Sequence, residues 1–400
     1  MTIILYLKGP TIIGKGRGCM IKIGLLPLYI ELYDSISPEL RSRLEAFYER
    51  MAQKLENENF VVLRSPFCRI RDEFTAAVAA FEKEEASCIV TLHMAYSPSL
   101  ESAEILAKTN LPIIVLDTTE TYDFGPSQSP DEISYCHGIH GVMDMCSLLR
   151  RNGKDFAIAA GHPEESPVIS RVCGFVRAAH AAKMLSGFKT GLIGGAFDGM
   201  GDFAVTAEEM RERFGVEIVT PEPATLTELQ SAVTSEEIAA EIGEDYINFT
   251  PLGEILPELH QNSTRTGLAL RSFAKRERLQ ALSVNFQNIG SSGLSTMPFM
   301  ELCKMMASGF GYAGEGDVLT ASFTGALMQS YEDVSFIEIF CPDWKGNTLF
   351  LSHMGEMNIR LAKGPLEMGE KEFKFGNAKN PIACYGCYKE GQAIFANIFR

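Results

Sequence analysis

From Met20 onward, short runs of consecutive apolar residues alternate with longer segments in which apolar residues recur every three or four positions. The runs are "IKIGLL", "FVVLRS", "CIVTLH", "PIIVLD" and "FAIAAG". Each has strand length and no polar face, as expected of a parallel strand covered on both sides. The segments between them read as helices. Leu40, Leu44, Phe47, Met51 and Leu55 share one face of a helix that Ser37 and Pro38 open and that runs to about Asn57. Ser suits the cap, and Pro suits the first helical position, where its missing N–H costs nothing. Further helices are expected over "RDEFTAAVAAFEKEEA", from Ser99, and from Gly141 to Asn152. This alternation predicts a Rossmann-like α/β domain over 20–185, leaving through a long helix from Pro167 to Leu185.

The pattern then repeats. "KTGLIGG", "VEIVT" and "ALSVNF" read as strands, with helices near 224–242 and 262–280 and over "PFMELCKMMAS". A central α/β domain is therefore expected over 186–325. Beyond it, "SFIEIFC", "TLFLSHM", "FKFG" and "QAIFANIF" are short strands separated by Gly, Pro and Asn, which predicts a partial β-rich domain over 326–400. The expected fold is thus α/β: two Rossmann-like parallel α/β domains followed by a partial β-rich C-terminal domain. Residues 1–19 carry Lys8, Lys15 and Arg17 and no acid, in the wrong order for a signal peptide. They are expected to be a non-native or disordered extension ahead of the first strand.

Composition narrows the function. A net charge of −15 leaves no basic surface for a phosphate backbone, so nucleic acid is excluded as a partner. No apolar run approaches the ~18–20 residues of a membrane span, so no membrane partner is expected. The ten cysteines are scattered, and Cys88 and Cys173 sit inside apolar runs, as reduced cytoplasmic thiols do. Cys384 and Cys387 form one C-x-x-C without the second pair or the histidines that a zinc site needs.

In open parallel sheets, ligands bind outside the carboxyl ends of the strands. His93, the run Asp117 to Glu120, and Gly161-His162 each follow an expected strand. The first domain is therefore expected to line a cleft, with His93 and His162 as candidates and the Asp117 run as a turn. His137 is expected in a turn, His180 inside a helix, and His260 in a loop or helix start.

One segment looks like a phosphate cradle. "GFGYAGEGDVLTA" contains G-x-G-x-x-G at Gly309, Gly311 and Gly314. A dinucleotide fingerprint must follow a strand, whereas the preceding "PFMELCKMMAS" is helical, so no nucleotide cofactor is expected. What remains is Glu315, framed by glycines. Downstream, Glu338 interrupts an apolar β pattern between Phe336 and Phe340, and His353 does the same in "LFLSHM". A carboxylate buried between phenylalanines is costly unless a cation or partner meets it. Two glutamates and a histidine suit a divalent ion such as Mn2+ or Mg2+; the alternative is an ordinary Glu on a solvent-facing strand.

These motifs resemble the L-arabinose isomerase family, within the wider L-fucose/L-arabinose isomerase group. "GYAGEGD" is similar to its glycine-framed glutamate segment, "SFIE" to its second glutamate strand, and "LFLSHM" to the strand bearing its metal histidine. "HGIHGVMD" and "FDGMGDFAVT" resemble further segments, so that the likeness spans nearly all the chain after Met20. The resemblance implies a cytoplasmic, metal-dependent aldose–ketose isomerase of a pentose or deoxyhexose such as L-arabinose. Glu315 and Glu338 would be both metal ligands and the acid/base pair, and His353 a metal ligand to Mn2+ or another divalent cation such as Mg2+. His140 would contact the sugar in a neighbouring subunit's active site, in a homo-oligomer (trimer or hexamer). Met200 and Phe286 would line the sugar pocket.

Two departures stand against the resemblance. The family supplies a further metal histidine toward its C-terminus, and no histidine follows His353 here, so that a C-terminal truncation is expected. "GLLPLYIELYD" lacks the usual sugar-contact residues, which leaves the sugar less defined than the reaction. The rival expectation is a non-catalytic sugar-binding protein with two lobes about a cleft, or a degenerate isomerase-like protein.

Overall fold

The structure, a computed structural model, describes residues 2–8, 20–58, 60–375 and 378–399. Two compact units emerge: Cys19–Lys183, and Met184–Arg400 with Met1–Gly18. Each is described by itself. The strand Thr2–Lys8 (β1) belongs to the second.

The unit Cys19–Lys183 is built on β2 (Ile21–Leu28), β3 (Phe60–Arg64), β4 (Ile89–His93), β5 (Ile113–Asp117) and β6 (Phe156–Ala160). All pair in parallel, in the order β3-β2-β4-β5-β6, which is that of an open doubly wound sheet. The apolar runs are explained by coverage on both faces. Ile23 and Leu25 of β2, Val90 and Leu92 of β4, and Ile114 and Leu116 of β5 pack with the helix Leu40–Glu56. Their neighbours Leu26 and Leu28, Ile89, and Ile113 and Val115 turn the other way onto the helix Arg71–Lys83. Side chains alternate faces along a strand, so both faces must be apolar.

Two expectations for this unit fail. His93 does not face a cleft: it is buried, neither ring nitrogen has a hydrogen-bond partner, and it packs on the helix Gly138–Arg151. Only glycine fits against it there, since a Cβ at Gly141 would lie 2.5 Å from its Cδ2. His162 is a loop organiser, its Nδ1 accepting from the N–H groups of Glu164 and Glu165. His260, expected in a loop or helix start, is buried near the start of the helix Pro257–Glu277 with its Nε2 3.0 Å from Asp245.

The second unit begins with β7 (Lys189–Ile193), β8 (Glu217–Val219), β9 (Phe249–Pro251), β10 (Ala281–Val284) and β11 (Gly311–Gly314). Of these, β11-β10-β7-β8 form a second parallel sheet. Next come β12 (Val334–Asp343), β13 (Thr348–Ser352), β14 (Leu366–Glu370), β15 (Ile382–Tyr385) and β16 (Gln392–Ala396). The antiparallel sheet β13-β12-β1-β16 and the small sheet β15-β14-β9 complete the unit. Residues from 326 on, expected as a separate domain, pack with 184–325 in one unit; Phe336, Phe373 and Ala383 join the core of the parallel sheet. Within the expected N-terminal extension, β1 is a strand between β12 and β16; Met1 and 9–19 lie outside the described residues. No strand forms over "FKFG", whose Gly376 is also outside them. Among the described residues, no helix is long and apolar enough to cross a membrane.

Candidate active site

The glycine-rich segment is itself the edge strand β11, not a loop before a helix. Gly311 and Gly314 lie within the strand, and the turn into the helix Val318–Met328 is made by Glu315 and Gly316. The glycines therefore serve packing rather than phosphate. A Cβ at Gly311 would lie 2.5 Å from the Ala321 carbonyl oxygen, so that helix can sit directly on the strand.

Glu315 occupies the carboxyl end of the sheet with φ of 66°, a left-handed conformation rare for a residue with a side chain. Three contacts impose it. Its N–H donates to Val284 O at 3.0 Å, its carbonyl accepts from Phe197 N at 3.0 Å, and Gly316 follows at φ of 82° against Gly195. Asp317 then caps the helix by accepting from Thr320 N at 2.9 Å. Strain of this kind concentrates where a side chain must be aimed.

Glu338 lies on β12, in register with Ser352 of β13. His353 follows β13 directly, and its Nε2 comes within 4.0 Å of Glu338 Oε2. Its ring stands edge to face on Phe336, with centroids 4.7 Å apart. It also lies so close to β11 that a Cβ at Gly314 would be 2.9 Å from its Cε1. On its far side, His353 Nδ1 is 2.7 Å from Glu356 Oε2, and the Tyr312 hydroxyl donates to Glu356 Oε1 at 2.6 Å. The segment carrying His353 and Glu356 is fastened at both ends of that pair. Cys303 Sγ donates to Gly355 O and accepts from Met357 N, each at 3.4 Å, and Asn358 is tied to Ser335 and Val334.

The electrostatics follow from burial. Burial pushes the Glu315 carboxyl above its ordinary range, and Glu338 adds to the effect while His353 opposes it. Burial likewise raises Glu338 against the pull of His353. For His353, burial works against the charged ring, but Glu356, Glu338 and Glu315 outweigh it and hold the ring above its ordinary value. Burial, then Glu356, keeps the Tyr312 phenol protonated well beyond its usual range. Glu315, His353 and Glu356 line a small pocket with Phe286, Phe299 and Met354 among its apolar walls.

This sheet-edge carboxylate lies within a segment, residues 196–331, that matches the family model for the L-arabinose isomerase central domain. An L-arabinose isomerase of Shouchella clausii (strain KSM-K16) is 24% identical over 368 residues, covering 90% of this chain and 74% of that protein. Another, from Nocardioides sp. (strain ATCC BAA-499 / JS614), is 27% identical over 273 residues, 65% of this chain and 53% of that protein. A third, from Salmonella arizonae (strain ATCC BAA-731 / CDC346-86 / RSK2980), is 24% identical over 346 residues, 82% of this chain and 68% of that protein. Over most of its length the chain is similar to L-arabinose isomerases. Among solved structures, it is similar to the sugar-binding protein of a sugar ABC transporter from Bacillus halodurans. That likeness has 12% identity, covers 82% of this chain and 92% of that one, and at a TM-score of 0.18 carries no argument.

Glu315, Phe286 and Met200 fall in the matched central segment, while Glu338, His353 and Glu356 lie beyond it. The structure puts Glu315, His353 and Phe286 in the wall of one pocket, with Glu338 Oε2 4.0 Å from His353 Nε2. Met200 is 41% exposed and is not in that wall; its backbone belongs to the turn that Phe197 ties to Glu315. His140 lies in the other unit, exposed in the first turn of the helix Gly138–Arg151. Sequence reasoning missed Glu356 and Tyr312, although Tyr312 stands inside the "GYAGEGD" motif and Glu356 lies two residues past "LFLSHM".

The resemblance implies a divalent ion, and the residue types present suit one in their chemistry. Two half-buried carboxyls are both driven upward, and His353 Nε2 lies 4.0 Å from Glu338 while Nδ1 is already engaged. Oxygen-rich ligation with one imidazole suits Mn2+ or Mg2+. Among the described residues, no three such side chains yet surround one point as a closed cage does.

Proposed function

We propose that this chain is a metal-dependent aldose–ketose isomerase acting on a pentose or deoxyhexose such as L-arabinose. The observation that carries the reading is that Glu315 and His353 line one small pocket while Glu338 Oε2 lies 4.0 Å from His353 Nε2. Relatives whose names are L-arabinose isomerase support it.

An aldose becomes a ketose when a proton leaves C2 and one arrives at C1, through an enediol, while the hydroxyl proton moves between the oxygens. That needs one group able to take a proton and another able to give one. Burial raises both Glu315 and Glu338, with Glu338 adding to the shift of Glu315 and His353 opposing both, an environment in which neighbouring carboxyls can be driven to different roles as acid and base. The strained backbone at Glu315 and the strand register at Glu338 fix where each carboxyl acts. Phe286, Phe299 and Met354 exclude water from the carbon being deprotonated. Glu315, Glu338 and His353 would hold Mn2+ or another divalent ion, which when bound polarises the substrate carbonyl and stabilises the developing oxyanion. His140 of a neighbouring copy would complete the sugar contacts in a cytoplasmic homo-oligomer.

A panel of aldoses offered with Mn2+ tests the reading. The account expects ketose formation that a chelator abolishes. Tight sugar binding without turnover, indifferent to chelation, would instead fit a sugar-binding or degenerate protein.

A further inference from the structure

We infer that Tyr312 and Glu356 form a positioning relay that sets the tautomer of His353, and so decides whether its Nε2 can act as a ligand. The inference rests on the reading of His353 as a metal-facing residue and deepens it.

The hydrogen-bond chain has only one polarity. An ionised carboxylate accepts at both oxygens and donates at neither. Tyr312 Oη is a donor to Oε1 at 2.6 Å. Oε2 must therefore receive its hydrogen from His353 Nδ1, 2.7 Å away. When the ring is neutral, its single proton sits on Nδ1, and the lone pair is left on Nε2, toward Glu338. A ligating imidazole needs that arrangement, with the other nitrogen held by an outer acceptor.

Packing makes the relay rigid. Glu356 is buried, with side-chain exposure of 1%, and the Cys303 thiol clamps the peptide groups on either side of it. Gly355, at φ of 146°, lies against Phe299, where a Cβ would come within 3.1 Å of the ring. Tyr312 is fully buried on β11, the strand that ends in Glu315. One short strand thus delivers both the sheet-edge carboxylate and the phenol that orients the histidine's partner.

The relay makes an unusual prediction for Glu356→Gln. Tyr312 still donates, so it selects the amide oxygen of the new side chain. The NH2 group is left facing His353 Nδ1, which must then accept, and the ring proton moves to Nε2. The near-isosteric change therefore inverts the histidine. Removing the tyrosine donor as well, in Tyr312→Phe/Glu356→Gln, frees the amide to turn its oxygen to Nδ1 and restores the original tautomer.

The experiment uses the full chain. Nitrogen-15 spectra of the histidine rings, taken metal-free at alkaline pH, report the His353 tautomer; Mn2+ titration followed by water-proton relaxation reports affinity. We expect Nδ1–H in the wild type, Nε2–H in E356Q with Mn2+ affinity reduced about 10–100-fold, and recovery of both in the double variant. Y312F alone keeps the Nδ1–H form. An Nε2–H wild type, an E356Q protein still in the Nδ1–H form, or a double variant no better than E356Q would each overturn the relay. Failure of the wild type to bind Mn2+ would sink the metal-site reading instead, while the tautomer spectra would still decide the relay.

Discussion

Glu315 carries a local backbone cost, at φ of 66°. A left-handed conformation costs an L-residue about 1–2 kcal/mol relative to the right-handed one, and glycine escapes that penalty. At an ordinary helix or strand position, Ala is more stable than Gly by roughly 0.5–1 kcal/mol. At φ of 66° the order should reverse. Glu315→Gly should be more stable than Glu315→Ala by about 1 kcal/mol in denaturant unfolding, and both should lack isomerase activity. Ala above Gly would mean that the strained backbone is not the resting geometry. No residue-type rule announces this strain, because Glu is a poor occupant of that region; it follows from β10, Phe197 and Gly316 closing on the residue from three sides. Gly314 makes the opposite case. Its role was legible only as a loop glycine, and it is really the space that the His353 ring fills, so Gly314→Ala should weaken Mn2+ binding and lower thermal stability together. Unchanged Mn2+ titration in that variant would show that the ring has room to move.

Elements were read from the sequence where their periodicity is intrinsic and missed where it is imposed by a partner. The five strands of the first unit were legible because each is apolar on both faces. Strands β9 and β14 were not: β9 is three residues long, begins where the preceding helix ends, and pairs only with the distant β14. The single helix expected near 224–242 is two, Pro223–Ala232 and Ser235–Asn248. The break is the capping box of Thr234 and Glu237, which the sequence does spell out as "TSEE". In the first unit, the strand β4 ends in a buried histidine with a pH consequence. Burial holds His93 down to about 3, from about 6.5 in the unfolded chain. Above the unfolded value neither state binds the proton, and stability is complete. As pH falls from about 6.5 toward about 3, the unfolded chain takes up a proton that the folded ring refuses, and stability drops by about 1.4 kcal/mol per pH unit. His93→Leu should flatten that part of the curve, measured as urea midpoints across a pH series. An identical slope in the variant would place the acid sensitivity elsewhere.

For the whole molecule, the sequence gives the doubly wound first unit and the parallel sheet of the second, but not the way the last residues join that second unit. Short β segments after 326 look independent when read in order, since pattern says nothing about which core they complete. In space they place Phe336 against Tyr312, with ring centroids 5.8 Å apart, and bring Glu338 and His353 to the end of β11. The candidate site was therefore legible as three residues with the right chemistry, while its organisation was not. Glu356 sits three residues after His353, an acid between Gly355 and Met357, and only the fold shows that it and Tyr312 hold the ring.

The most direct test of the central claim compares L-arabinose turnover, with Mn2+ present, in the wild type and in Glu315→Gln and Glu338→Gln. Each substitution keeps the shape of the side chain and removes its capacity to exchange a proton. The account predicts ketose formation by the wild type and a loss of about 10²–10⁴-fold in kcat for each variant, the range expected when a positioned acid or base is removed. Near-normal turnover by either variant would remove that glutamate from the chemistry and contradict the account.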